Sequence, residues 1–331
     1  MRILSVFPLL LLSASTFASS LSTLTFSLDN DGIYGVDQDY TNGIFLSYTS
    51  AKIEPYSWLQ PLSLSYWGEA SFDKWEVKIA HKIWTPSDIE ATEPLANDRP
   101  YAGFFHSELN YISLSSERAQ KINLTLGVTG EHSYADKAQN IVHGITGSDD
   151  PNGWDYQIES QVAGSIGYQH HLNIQRGAMT LNSDWEISNV SNINLGNFRS
   201  DIATGLMLRW GSDLPHNMGA ANISAEHPFQ AGMIGDSTQG WFAFAGIEAR
   251  YRFNDLTIEG DRPEIENTPN VSDPAIYDVS VEPWQATAVL GIAWYNSRFG
   301  ASFTTTAKTA EYQQATDHIY GTGSLSVFAF F

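Results

Sequence analysis

Two short stretches of the sequence bring together residue types that can bind a cation or move a proton. The first contains Asp29, Asn30, Asp31 and Gly32 and continues through residues 35–43, where more carboxyl and amide side chains lie beside glycines. Side-chain oxygens at this density suit a hard cation such as Ca²⁺, although the spacing is not that of an EF-hand loop. An acidic turn between two strands would have the same composition, so both interpretations are open at this point.

The second stretch contains His143, followed six residues later by Asp149 and Asp150. A histidine near carboxylates can be a general base or a metal ligand, and a surface histidine on a loop is the alternative. The sequence has no Cys and no G-x-S-x-G or H-E-x-x-H motif, so common serine, cysteine and zinc hydrolase arrangements lack support. The mechanism left is water activated by histidine, with a cation polarising the scissile carbonyl.

The elements that must position these residues show the two-residue period of β-strands. In residues 241–253, apolar side chains alternate with Glu248, Arg250 and Arg252, and residues 202–210 and 284–294 contain similar apolar rows. Trp or Tyr stands at the ends of several rows, as in the aromatic girdles of membrane barrels. Twelve segments are strand candidates: 23–30, 40–49, 75–84, 105–115, 121–129, 157–170, 177–190, 202–210, 241–253, 284–294, 301–307 and the last strand, which ends in Phe331.

This pattern predicts an all-β fold: an integral outer-membrane antiparallel β-barrel of about twelve strands, with the charged rows inside. Some candidates lie close together in the sequence, so ten or fourteen strands are the alternatives. Longer connections are expected at 85–100, 131–154, 216–239 and 259–274, and a helix-like pattern at 134–141 predicts a short helix in an extracellular loop. A soluble β-sandwich is the alternative, but it would have to bury the charged rows between its two sheets.

Export and composition restrict the class of protein further. Residues 1–18 have the features of a signal peptide, with Arg2, an apolar run over 3–12 and small residues around the cleavage site at Ala18. Residues 19–331 contain no linker or repeat, which predicts a single transmembrane barrel domain. The absence of Cys excludes a disulfide framework, and a net charge of −20 argues against a nucleic-acid partner.

Four segments of the sequence together carry a resemblance to a known family. They are Asn30-Asp31, Asp39-Tyr40-Thr41-Asn42-Gly43, Asn97-Asp98-Arg99-Pro100-Tyr101-Ala102-Gly103, and Val142-His143 with Gly153-Trp154-Asp155-Tyr156-Gln157. In order and in rough spacing, these segments resemble the lipid A 3′-O-deacylase family of Gram-negative outer membranes. The resemblance implies a twelve-stranded barrel that removes the 3′-linked acyloxyacyl group from lipid A, with Ca²⁺ stabilising the oxyanion and a histidine activating water.

The resemblance also implies roles for particular residues. His143 matches the catalytic histidine, and Asn30 and Asp31 match an Asn-Asp pair that is catalytic and binds Ca²⁺. A family glutamate falls on Asp149, whose side chain is one methylene shorter, so Asp150 is a second candidate for that metal ligand. Arg99 is a candidate contact to a lipid A phosphate, because a guanidinium fork suits phosphate oxygens, and a structural arginine is the alternative.

The expected location is the outer membrane of a Gram-negative bacterium. The expected partner is lipid A, or lipopolysaccharide, in the outer leaflet, and the protein is expected to be a monomer. Two other functions are open. A porin-like channel would need an open lumen, whereas about twelve strands filled with Trp, Tyr, Arg and Glu should be largely plugged. A structural or adhesin barrel would leave lipid A unchanged.

Overall fold

The computed structural model describes residues 21–34, 38–146, 148–180, 182–266 and 273–331, so the predicted signal peptide, residues 1–18, lies outside the described residues. The described residues form twelve antiparallel strands, and β1 pairs with β12 to close a barrel, as predicted. The strands are β1 (Thr23–Asn30), β2 (Asp39–Thr49), β3 (Ser71–Thr85), β4 (Ala102–Ser115), β5 (Arg118–Thr129), β6 (Val162–Ala178), β7 (Asp184–Gly196), β8 (Arg199–Gly211), β9 (Gly240–Asp255), β10 (Trp284–Tyr295), β11 (Phe299–Thr309) and β12 (Ile319–Phe330).

Short helices occupy some of the connections. The helix predicted at 134–141 is confirmed as α1 (Ala135–Thr146), and α2 (Leu256–Glu259) and α3 (Pro263–Glu266) follow β9. Within the described ranges, no helix has the length and hydrophobicity needed to cross a membrane. The 3-10 turns are Asp31–Tyr34, Gln60–Leu62, Leu64–Trp67, Gly130–Ser133, Trp154–Tyr156, Leu214–His216, Met218–Ala220, Ala231–Met233 and Pro274–Tyr277.

Alternation along the strands separates a charged lumen from an apolar outer wall. Arg209, Glu248 and Arg252 are buried inside the barrel, whereas Trp210 and Trp284 at the row ends are exposed on the outside. Successive residues of a strand point to opposite faces, so the two sets of side chains cannot mix. The predicted division into interior charged rows and outward apolar rows is therefore correct.

The two ends of the barrel differ in their connections. We call the end that holds Thr23 and Phe330 the base; it also carries the connections 50–70 and 212–239. The opposite end, the rim, carries 31–38, 86–101, 130–161, 256–283 and 310–318. All the residues proposed above for the site lie at the rim.

The connection 212–239 does not stay outside the barrel at the base but folds into the lumen, and we call it the plug. Lys74, an inward residue of β3, donates hydrogen bonds to the carbonyls of Gly232 at 3.3 Å and Ile234 at 2.9 Å. Further along the plug, the Glu226 carboxylate lies 2.8 Å from Lys82 Nζ and 2.5 Å from an Arg199 guanidinium nitrogen. A cavity of about 180 Å³ is left among charged side chains of the lumen.

Strand boundaries differ from the prediction mainly in the middle of the chain. β6 begins at Val162 and β7 at Asp184, later than the predicted 157 and 177. A bulge between Asn173 and Gln175 breaks the two-residue period of β6. On the outer face of β7, Asn189 and Ser191 interrupt the apolar row; both form hydrogen bonds with Thr204 of β8, at 3.0 Å.

Candidate active site on the outer wall

Asn30 ends a row of side chains that faces outward from the barrel. Leu24, Phe26 and Leu28 precede it on the same face of β1, and all three are exposed. The Asn30 amide nitrogen donates to the carbonyl of Thr41 at 3.2 Å, and its amide oxygen accepts from the Gly32 N–H at 2.9 Å. Asn30 is thus fixed at the rim, on the side of the wall that the apolar rows occupy.

Asp31 follows at the start of a 3-10 turn and is almost completely buried. Its carboxylate accepts a hydrogen bond from the backbone N–H of Gln38, at 2.8 Å, which ties together the two sides of the β1–β2 connection. Nearby, the hydroxyls of Thr41 and Thr85 lie 2.6 Å apart and connect the rim ends of β2 and β3. The resemblance included Thr41 in a motif, but neither threonine was predicted as a site residue.

The helix α1 packs on the outside of the same wall, against β3 and β4. Ile83 has an outward position on β3 and is nevertheless only 2% exposed, because it packs in a cluster with Ala135 of α1. At Gly103 of β4, any Cβ would overlap Ser133 and Ala135, so a glycine is needed for the helix to approach the strand. Across the sheet, Asn30 pairs with Asn42 and Asn42 with Ile83, which separates Asn30 from Ile83 by two strand spacings, about 10 Å.

Residues of two recognised motifs hold α1 in place. Trp154 donates from its indole N–H to the Gln139 side-chain oxygen at 2.8 Å, and its ring lies 4.7 Å from that of Tyr101. The Tyr101 hydroxyl in turn donates to the carbonyl of Ile89 at 2.9 Å. The segments 97–103 and 153–157 therefore act together to position the helix.

His143 lies one turn after Gln139 on the same buried face of α1 and is 7% exposed. Its Nδ1 is 2.6 Å from the backbone carbonyl oxygen of Asp149. A carbonyl can only accept a hydrogen bond, so Nδ1 carries the proton, and in the neutral ring the acceptor lone pair is on Nε2. This is the tautomer that a general base needs, and the backbone of Asp149, rather than its carboxylate, selects it.

The ligand types at the end of β1 fit a calcium ion, since Asn30 and Asp31 provide an amide oxygen and a buried carboxylate. Asp149 and Asp150 are both exposed. Among the described residues, no group of three or more His, Asp and Glu side chains is arranged to hold a metal ion. The structure thus joins Asn30 with Asp31 but does not gather all four predicted ligands into one cluster, and Ca²⁺ binding stays a prediction.

Arg99 is almost fully buried and surrounded by acceptors from this chain. Its guanidinium contacts the carboxylate of Asp39, lies 3.6 Å from that of Glu311, and donates to the Thr257 hydroxyl at 3.2 Å. Burial alone would lower the pKa of Arg99, but the carboxylates of Asp39, Glu311 and Asp255 raise it above its ordinary value. This placement favours the structural alternative for Arg99, with carboxylates as its main partners.

Two other members of the first acidic stretch face the lumen. Asp29 is fully buried and accepts hydrogen bonds from the Tyr40 hydroxyl at 2.9 Å and the backbone N–H of His227 at 2.7 Å. Asp39 lies 2.5 Å from the Lys308 amine. The inward position of Asp29 could have been predicted from the two-residue period of β1, because adjacent residues of a strand point to opposite faces and Asn30 points outward.

These features define a class: a closed barrel with apolar outward rows and, at its rim, candidate site residues that include a buried histidine on a helix outside the wall. The family described as outer membrane protein LpxR matches residues 3–331, and the chain belongs to that family. It is therefore a barrel of the Gram-negative outer membrane. Among curated proteins, none matches this sequence.

The chain is also similar to solved structures. LpxR from Salmonella typhimurium is 20% identical, with a TM-score of 0.75, over 93% of this chain and 100% of that chain. The β domain of the Bordetella autotransporter BrkA is 9% identical, with a TM-score of 0.41, over 95% and 99% of the two chains. The first of these supports the fold, and the second is too distant to support a functional argument.

Proposed function

We propose that this protein is an outer-membrane lipid A deacylase, which hydrolyses the 3′-linked acyloxyacyl ester with His143 as the general base. The proposal combines family membership with the motifs that resemble lipid A 3′-O-deacylases. The rim would then face the outside of the cell, where the outer leaflet contains lipid A.

The position of the site on the outer wall is the observation that carries this proposal. Asn30 continues the outward row of β1, and α1, the helix that contains His143, packs against the outward faces of β3 and β4. A lipid that moves within the bilayer meets this wall without entering the lumen. A site for a water-soluble substrate would gain nothing from such a position.

The chain's own residues supply a complete route for the proton. His143 Nε2 takes a proton from water, and the water oxygen attacks the acyl carbonyl carbon to form a tetrahedral oxyanion. The bond from the acyl carbon to the 3′-oxygen then breaks, and the protonated imidazole returns its proton to that oxygen. The Asp149 carbonyl keeps the ring oriented throughout, because its hydrogen bond to Nδ1–H is present in both protonation states.

Asn30 and Asp31 are the residues that would hold Ca²⁺ in this scheme, with Asp149 or Asp150 as a further ligand. When bound, the ion would supply positive charge to stabilise the oxyanion, which can be worth several kcal/mol. Asn30 itself is fixed by its bonds to Thr41 and Gly32, so its oxygen needs little rearrangement to bind a ligand.

Mass spectrometry of lipid A tests the proposal. Cells that express the wild-type protein should contain lipid A lacking the 3′-linked acyloxyacyl group, whereas cells that express folded His143→Ala should not. Unchanged lipid A with the wild-type protein, shown to be folded in the outer membrane, would rule out the deacylase. That result would favour a structural or adhesin barrel.

A further inference from the structure

The outer wall at the base carries polar residues where lipid would be expected. Asp73 of β3, Ser113 of β4 and Gln120 of β5 have outward positions, because their neighbours Lys74, Ile112 and Ala119 face the lumen. Those neighbours contact the plug: Lys74 bonds to its carbonyls, and Ile112 and Ala119 pack with Met233. Polar groups in contact with hydrocarbon are unfavourable unless they are hydrogen-bonded. Something must therefore cover this part of the wall.

Residues 56–68 of the β2–β3 connection provide that cover. Ser63 donates to the Asp73 carboxylate at 2.8 Å, and the backbone N–H of Leu64 donates to the Ser113 hydroxyl at 3.0 Å. Gln120 donates from its side-chain amide to the carbonyl of Leu62. The segment thus lies along the outside of three adjacent strands and forms a hydrogen bond with the polar side chain of each.

The other side of the segment is aromatic and points away from the barrel. Tyr56, Trp58, Tyr66 and Trp67 are 58–73% exposed, whereas Leu59 and Leu64 are buried toward the protein. The Tyr66 and Trp67 rings are packed edge to face with centroids 5.3 Å apart, so they form a single surface. We call residues 56–68 the aromatic ledge.

We propose that the aromatic ledge is a membrane-binding surface that rests in the head-group region of the phospholipid leaflet at the base. Trp and Tyr prefer this region because their rings are apolar and their N–H and O–H groups are polar. This assignment is independent of the reaction at the rim.

Continuity with the membrane-facing wall identifies lipid as the occupant. The ledge covers Asp73 and Ser113, and the next outward residues toward the rim are Trp75 and Tyr111, whose rings lie 5.2 Å apart. Beyond them, Val77, Ile79 and Leu109 are exposed on the same wall. The ledge therefore begins where the apolar belt ends, and lipid that coats the belt reaches its aromatic side chains.

Because the sequence has no native Cys, a spin label can be attached at a single introduced Cys. Ser57→Cys places a label in the ledge, and Ser297→Cys places one in the exposed β10–β11 turn at the base, as a matched control. Each full-length protein is reconstituted in vesicles of phosphatidylethanolamine and phosphatidylglycerol. Collision with oxygen and with a water-soluble nickel chelate is then measured by power saturation.

The ratio of oxygen to nickel collision should be several-fold higher at position 57 than at position 297. Trp58→Ala with Trp67→Ala, in the Ser57→Cys background, should remove most of that difference while the barrel stays folded. Equal, water-like ratios at both positions would overturn the proposal, since they leave the ledge free for a soluble partner. Strong dipolar broadening at position 57 would also overturn it, because it would place a second copy there.

Discussion

The Asp29 carboxylate accepts a hydrogen bond from the backbone N–H of His227, at 2.7 Å, across a separation of 198 residues. The same carboxylate oxygen accepts the Tyr40 hydroxyl at 2.9 Å. Asp29 immediately precedes Asn30 and Asp31, so the plug is tied to the strand end that carries the candidate site. Asp29 thus connects the interior of the lumen to the outer wall.

Replacing Asp29 with Ala should destabilise the protein by about 1–3 kcal/mol, because the Tyr40 hydroxyl and the His227 N–H are left buried without this acceptor. Urea unfolding in detergent, followed by tryptophan fluorescence, measures the effect. Asp29→Asn is the matched control, since its amide oxygen still accepts hydrogen bonds, and it should lose less. Equal stability of Asp29→Ala and wild type would show that this connection is unimportant.

In purified protein, His143→Ala should lower the rate of lipid A deacylation roughly 10²-fold or more, as expected when a general base is lost. His216 is exposed at the base and serves as the control, since His216→Ala should leave the rate unchanged. A folded His143→Ala protein with a near wild-type rate would exclude the proposed mechanism.

Deacylation should require Ca²⁺, and Asp31→Ala should abolish turnover or raise the Ca²⁺ concentration needed for it. The measurement is the initial rate against free Ca²⁺, with excess EGTA as the zero point. Full activity in EGTA would contradict the assignment of Ca²⁺.

Asp149→Ala separates the role of the Asp149 backbone carbonyl from that of its side-chain carboxylate. The backbone carbonyl that orients His143 is retained in this variant, so the rate at saturating Ca²⁺ should stay close to wild type. If the Asp149 carboxylate binds the ion, the Ca²⁺ requirement should rise, and Asp150→Ala provides the comparison. A large loss of rate at saturating Ca²⁺ would mean that the Asp149 side chain takes part in the chemistry.

Glu311 should stabilise the rim in a pH-dependent manner. Its carboxylate lies 2.7 Å from Lys308 and 3.3 Å from Arg252. Burial alone would raise the pKa of Glu311, but these cations hold it well below its usual value. With a depressed pKa in the folded state, the contribution is complete above the unfolded value of about 4.3 and is lost as the pH falls through the folded pKa.

Glu311→Gln should therefore lower stability at pH 7 by about 3 kcal/mol, a typical cost of breaking a buried ion pair. The difference from wild type should shrink below about pH 4. Urea midpoints across this pH range measure it, and the exposed Glu54→Gln is the control. A difference that is independent of pH would exclude the ionic explanation.

The sequence was sufficient to predict the wall of the barrel and the charged side chains on its inner face, but not that the plug folds into the lumen. Because a strand has a strict two-residue period, alternation in the sequence predicts that Glu248 points into the lumen and that Trp284 points outward. The plug has no comparable period, and its contacts, such as that of Lys74 with Ile234, join residues far apart in the chain. Residues 216–239 were accordingly predicted only as a loop.

In the candidate site, too, some features could be predicted from the sequence and others could not. Asn30, Asp31 and His143 were found because they lie in recognisable motifs. The carbonyl contact to His143 could not be predicted, since it depends on the path of the backbone at Asp149 and not on a side-chain type. The ion-pair partners of Arg99 could not be predicted either, because Asp39 and Glu311 lie far from Arg99 and from each other in the sequence.

The pairing of β1 with β12 has a consequence for when the protein becomes active. Asn30 is in register with Asn42 of β2 and with Gly323 of β12, so the seam that closes the barrel passes directly beside the candidate site. Before the first and last strands meet, this edge of the site does not exist. Under the proposed function, a chain still in transit would be a latent hydrolase, and newly made lipid A would be protected from it without any inhibitor or propeptide.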